Sequence, residues 1–150
     1  MSIQQKSLQA KEEIPMIHLI MGLKGSGKTK KLIDAINTAV ANANGDVVCI
    51  EYGRKLTYDV TYKVRLVDSQ EYGISSPEML KGFLSGLHAG NFDITNVFID
   101  NLYKTIGKDV AAAEDFIAWC AKFAADNNME ITITISEDPA NLSDAVKQFV

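Results

Sequence analysis

One hundred and fifty residues, 47% hydrophobic and 23% charged, suffice for one globular domain with a substantial core. A net charge of −4 argues against a broad nucleic-acid footprint and leaves room only for a local basic patch. Cys49 and Cys120 stand far apart inside apolar runs, a spacing unlike that of metal ligands, and read as buried, reduced thiols.

Residues 1–15 are polar, mixed in charge and poor in large apolar side chains, and Pro15 closes them. They are expected to be a flexible N-terminal arm, loose or helical, ahead of a single domain over residues 16–150. The arm is also a candidate contact to another subunit. The apolar run Met16-Ile17-His18-Leu19-Ile20-Met21 predicts a buried strand. It leads into Gly22, Leu23, Lys24, Gly25, Ser26, Gly27, Lys28 and Thr29, which fit G-x-x-x-x-G-K-[ST] at every fixed position. Phosphate chemistry asks for these residue types at this spacing. Glycines let the backbone turn successive N–H groups onto one concave face, and a following helix adds the positive end of its dipole. Lys28 is placed to reach the β- and γ-phosphates, and the Thr29 hydroxyl to ligate Mg²⁺.

Leu32, Ile33, Ile36, Ala39 and Val40 recur at helical spacing, so a helix is predicted from near Gly27 to about Ala43, with Asn44-Gly45 as its stop. Asp46 to Glu51 reads as a second buried strand. Tyr58, Val60, Tyr62, Val64 and Leu66 alternate with polar residues, the pattern of an edge strand with one wet face. Ser75-Ser76-Pro77-Glu78 signals a helix start, and the helix should run to about His88 and stop near Gly90. A third apolar strand ends in Asp100. A helix from about Asp109 to Asp126, a β-branched strand over residues 130–136 and a last helix from Asp138-Pro139 to near Phe149 complete the chain. Strands alternating with helices predict an α/β fold: a parallel sheet of about five strands with helices on both faces, in three α/β/α layers. The glycine loop then lies at the carboxyl edge of that sheet, where ligands of such folds bind.

Val97-Phe98-Ile99-Asp100 supplies the partner that a phosphate cradle needs: an apolar strand delivering a carboxylate to the same edge. Asp100 and Thr29 are the expected Mg²⁺ ligands. Together the two stretches resemble the Walker A and Walker B motifs of the P-loop NTPase superfamily. The order of elements looks most like the branch with an additional strand between the Walker strands, which includes RecA-like ATPases and the thymidine kinase type. That resemblance implies ATP and Mg²⁺ as ligands, residues 22–29 as the nucleotide-binding loop, and Lys28, Asp100 and Asn101 as the residues nearest the chemistry. In many ATPases of the branch a glutamate follows the Walker B aspartate; here Asn101 stands there, and an amide orients a water without accepting its proton. No N-K-x-D guanine-reading sequence is present, and two cysteines cannot supply the four-cysteine zinc site usual in the thymidine kinase type.

Arg54 and Arg65, the only arginines, are candidate arginine fingers or solvated surface residues. Lys24 and Lys30 add positive potential beside the loop. Ser136 is either a γ-phosphate sensor or a helix cap, and Glu51 a candidate base. His18 is expected to be packed in its strand, and Trp119 against the sheet. The resulting expectation is a cytoplasmic ATP-binding protein with slow or partner-stimulated hydrolysis, a switch or assembly ATPase whose partner is a second copy or an activating protein. A nucleoside or nucleotide kinase and a non-catalytic nucleotide-binding module are the alternatives. The sequence has no leader-like apolar start and no run of membrane-spanning length.

Overall fold

The computed structural model describes residues 16–57 and 59–150; the N-terminal arm and Tyr58 lie outside the described residues. Along the chain come β1 (Ile17–Met21), α1 (Lys28–Asn42), β2 (Asp46–Glu51), β3 (Val64–Asp68) and a 3-10 turn at Ser69–Tyr72. There follow α2 (Pro77–Gly90), β4 (Ile94–Ile99), α3 (Leu102–Ile106), α4 (Val110–Asn127) and β5 (Glu130–Ile135). A second 3-10 turn at Pro139–Asn141 and α5 (Asp144–Lys147) end it.

The five strands form one all-parallel sheet in the order β1-β5-β4-β2-β3. The fold is therefore the predicted α/β sheet with helices on both faces, and β5 is the additional strand between β1 and β4. Parallel strands are buried on both sides, which explains their near-continuous apolar sequences. Because side chains alternate across a strand, the sheet feeds two cores, one on each face. Ile17, Leu19, Val48, Ile50, Val97, Ile99, Ile131 and Ile133 pack with side chains of α2, α3, α4 and α5. Val47, Cys49, Val64 and Phe98 face the other way and pack with Leu32 and Ile36 of α1 and with Leu56.

Local signals set most boundaries. The Ser76 hydroxyl accepts the Met79 N–H at 3.2 Å, with Pro77 as the first helical residue of α2. Asp109 accepts the Ala112 N–H at 3.2 Å to start α4, and Asn128, in the left-handed region, ends it. Two expectations are corrected and one element is new. Among the described residues the alternating series pairs as a strand only from Val64, because Leu56 is buried and its carbonyl accepts the N–H groups of Asp59 and Val60 in a turn. The last helix is broken into a 3-10 turn and a single turn of α-helix, and the short α3 was not predicted. Beyond α5 the Phe149 carbonyl accepts the Leu19 N–H at 2.8 Å, so the chain's end lies along the open edge of β1.

Candidate functional site

All five strands point their carboxyl ends to one edge, so Gly22, Ser136, Asp100, Glu51 and Asp68 emerge there in that order across the sheet. The loop over residues 22–29 connects β1 directly to α1. At Gly22 an added Cβ would run into the Ser26 side chain, so only a hydrogen fits this close approach. Gly27 precedes α1 with φ +86°, a left-handed conformation that other residues adopt at a cost. The loop closes on Leu23, whose carbonyl accepts the Ser26 N–H at 3.1 Å and the Lys28 ammonium at 3.0 Å. No side chain caps α1 and no acid stands in its first turn, so its leading N–H groups are free of side-chain partners. Such an N-terminus favours an anion.

Asp100 follows β4, and its N–H continues the ladder onto the Ile50 carbonyl at 2.8 Å. Its Oδ1 accepts the Thr134 hydroxyl at 2.6 Å, and the same Thr134 oxygen accepts the Asn101 N–H at 2.7 Å. Thr134 is 1% exposed. One hydroxyl thus fixes both the carboxylate and the turn after it, in which Asn101 takes φ +62° before α3. The sequence reading missed Thr134. The available signal was two threonines, Thr132 and Thr134, on one face of an otherwise apolar strand. Ser136 follows β5 as expected, but capping falls to Asp138, whose Oδ1 accepts the Ala140 N–H at 2.9 Å.

Other singled-out residues separate from this centre. Glu51 is buried, and its Oε1 accepts the N–H groups of Lys55 at 2.7 Å and Leu56 at 3.2 Å. It organises the loop after β2. Arg54 pairs with Glu71, and Arg65 lies exposed on the edge strand; both line a cavity of about 520 Å³ that the glycine loop does not reach. His18 is exposed rather than packed, because α1 leaves open a groove of about 800 Å³ over β1 and β5. Trp119 stacks on Phe123 with ring centres 4.8 Å apart and on Phe116 at 6.3 Å, half-buried beside the core. Lys30 is exposed on α1. Both cysteines are fully buried, and burial raises their thiols well above the ordinary range. Among the described residues no three carboxylate, imidazole or thiol side chains come together to hold a metal, and no helix is long and apolar enough to cross a membrane.

No family model matches the chain, and no curated protein matches it in sequence. Among solved structures the chain is similar to domain III of the replication initiation protein DnaA from Thermotoga maritima, at 16% identity and a TM-score of 0.48. The likeness covers 96% of this chain and 55% of that one, so the chain spans about half the length of that structure.

Proposed function

We propose that the chain binds ATP and Mg²⁺ through residues 22–29 and Asp100, and hydrolyses the nucleotide slowly unless an activating protein or a second copy stimulates it. On this reading it is a switch or assembly ATPase. One observation carries the proposal: a G-x-x-x-x-G-K-T loop runs from a buried parallel strand into an uncapped helix, at the same sheet edge as a carboxylate that a buried threonine holds in place.

The backbone N–H groups of the loop and of the first turn of α1 hold phosphate oxygens. Lys28 exchanges its bond to the Leu23 carbonyl for one to phosphate. Thr29 and Asp100 are the residues that would hold the cation, which would supply positive charge beside the phosphates. The bound Mg²⁺–triphosphate supplies the electrophilic phosphorus and neutralises much of its own charge. The slow rate follows from the bases at hand. Asn101 positions a water and takes no proton from it, and the Glu51 Oε1 already accepts two backbone N–H groups.

The test is calorimetric titration of Mg²⁺–ATP, ADP and GTP into wild type and Lys28→Ala, with phosphate release followed on the same samples. Loss of charge-assisted bonds worth about 1.5–3 kcal/mol is expected to weaken ATP binding in Lys28→Ala by roughly tenfold or more. Turnover by the isolated protein is expected to be negligible. Equal binding by both proteins, or none by wild type, removes the nucleotide reading. Turnover of many per second removes its slow clause.

A further inference from the structure

Three lysines gather at the carboxyl edge beside the glycine loop. Lys24 belongs to that loop, Lys55 lies four residues beyond β2, and Lys104 sits in α3, just after β4 and Asp100. The backbones around Lys55 and Lys104 are held in place. Glu51 holds the Lys55 N–H and buried Leu56 anchors the next residue. On α3, Leu102 is 0% exposed, and Tyr103 donates to Glu137 at 2.9 Å. The bond from the Asp100 N–H to the Ile50 carbonyl keeps the ends of β4 and β2 side by side.

The Lys55 ammonium lies close enough to that of Lys104 to repel it and hold it below the ordinary lysine range, and Lys24 adds to the effect. Asp100 is the acid acting against this, and it does not offset it. All three lysines are exposed, and among the described residues none forms an ion pair. Among the other described lysines, Lys81 pairs with Glu78 and Asp115, and Lys122 with Asp126. The two arginines stand apart from this cluster, Arg54 on Glu71 and Arg65 on the outer strand. Opposed cations beside an anion-favouring loop have one natural ligand class, a polyvalent oxyanion that each can reach.

We propose that Lys24, Lys55 and Lys104 form a second anion site, adjoining the glycine loop across Asp100, that takes a phosphoryl group. In its nearest form this rests on the nucleotide reading above: the group is the terminal phosphate of the bound triphosphate, and these lysines supply the in-chain charge that phosphoryl transfer requires and that neither arginine is placed to give. The other source of the same chemistry is a phosphate ester on a second ligand.

The experiment compares wild type with the Lys55→Gln/Lys104→Gln double variant, both positions being exposed, by calorimetry with Mg²⁺–ATP, Mg²⁺–ADP, inorganic phosphate added to the ADP-loaded protein, and inorganic tripolyphosphate alone. The expected result is ATP binding weakened about tenfold or more with ADP changed by less than about twofold, which assigns the site to the terminal phosphate. Unchanged ATP and ADP binding with phosphate binding to the ADP-loaded protein lost assigns it to a second ligand. Wild-type behaviour of the variant toward every probe overturns the proposal. If wild type binds no nucleotide, the nucleotide reading falls and tripolyphosphate decides: binding that the double variant loses upholds the anion site, and absent or unaltered binding overturns it. The melting temperature gives an independent reading. Relieving the repulsion should raise that of the unliganded variant, while added phosphate should raise it only in wild type. A lower melting temperature for the unliganded variant overturns the repulsive cluster on which the site is built.

Discussion

The hydroxyl of Thr134 donates to Asp100 and accepts from Asn101, so its removal acts on two groups at once. Thr134→Val keeps the shape of the side chain but leaves the Asn101 N–H without its acceptor and lets the Asp100 carboxylate turn. A half-buried donor stripped of its partner costs about 1–3 kcal/mol, which urea unfolding would register. Thr134→Ser should restore most of that loss. On the nucleotide reading, the valine variant should also lose Mg²⁺-dependent enhancement of ATP binding, whereas the serine variant keeps it. A valine variant with wild-type stability and wild-type Mg²⁺ response removes Thr134 from the site. Asp100 could be singled out in the sequence because an apolar strand ends in it and a G-x-x-x-x-G-K-[ST] stretch lies upstream; the strand-end acid alone is a weak signal, since β2 and β3 also end in acids. Thr134 was not, since a threonine inside a strand is ordinary β-forming material and its partners are a strand away. Glu51 was legible as an acid at a strand end, a candidate base, but its burial and its backbone partners lie with a turn that carries no periodic signal.

Among the elements, those with strong periodicity and recognisable ends were legible: α1, α2 and α4, and the strands β1, β2, β4 and β5. The helix α3 was not, because five residues do not complete two turns and so show no hydrophobic stripe. Tertiary bonds hold it instead. Tyr103 donates to Glu137, which also accepts from the Asn141 side chain at 3.1 Å, tying α3 to the turn after β5. These bonds, Asn141 first and Tyr103 next, hold the Glu137 carboxyl below the usual carboxylate range. A depressed carboxylate contributes stability above its unfolded pKa of about 4.3 and loses it as pH falls through the folded value. Tyr103→Phe should therefore destabilise the protein by about 1.5–3 kcal/mol at neutral pH. That difference should shrink below about pH 4 as the carboxylate is protonated in both proteins. Urea unfolding between pH 3 and 7 measures it, and a difference independent of pH assigns the effect of Tyr103 to packing alone.

At the scale of the molecule the two faces of the sheet are covered unequally. Among the described residues, helices α2, α3, α4 and α5 share one core, whereas α1 is the one helix packed in the other. That asymmetry follows from topology: the other described helices pack on the far side, so among the described helices the one carrying the glycine loop has its face to itself. Leu32 and Ile36, both 0% exposed, anchor it. The same type of truncation on the two faces then separates stability from binding. Leu32→Ala in α1 and Leu84→Ala in α2 should each cost about 2–5 kcal/mol, since both remove a fully enclosed side chain. Only the first loosens the helix whose N-terminus continues residues 22–29, so only the first should weaken ATP binding measured well below either melting temperature. Equal weakening by both variants would mean that binding tracks overall stability. No weakening by Leu32→Ala would mean that the loop holds its shape through Gly22, Ser26 and the Leu23 carbonyl alone, and that the seating of α1 on the sheet contributes nothing to the anion it faces.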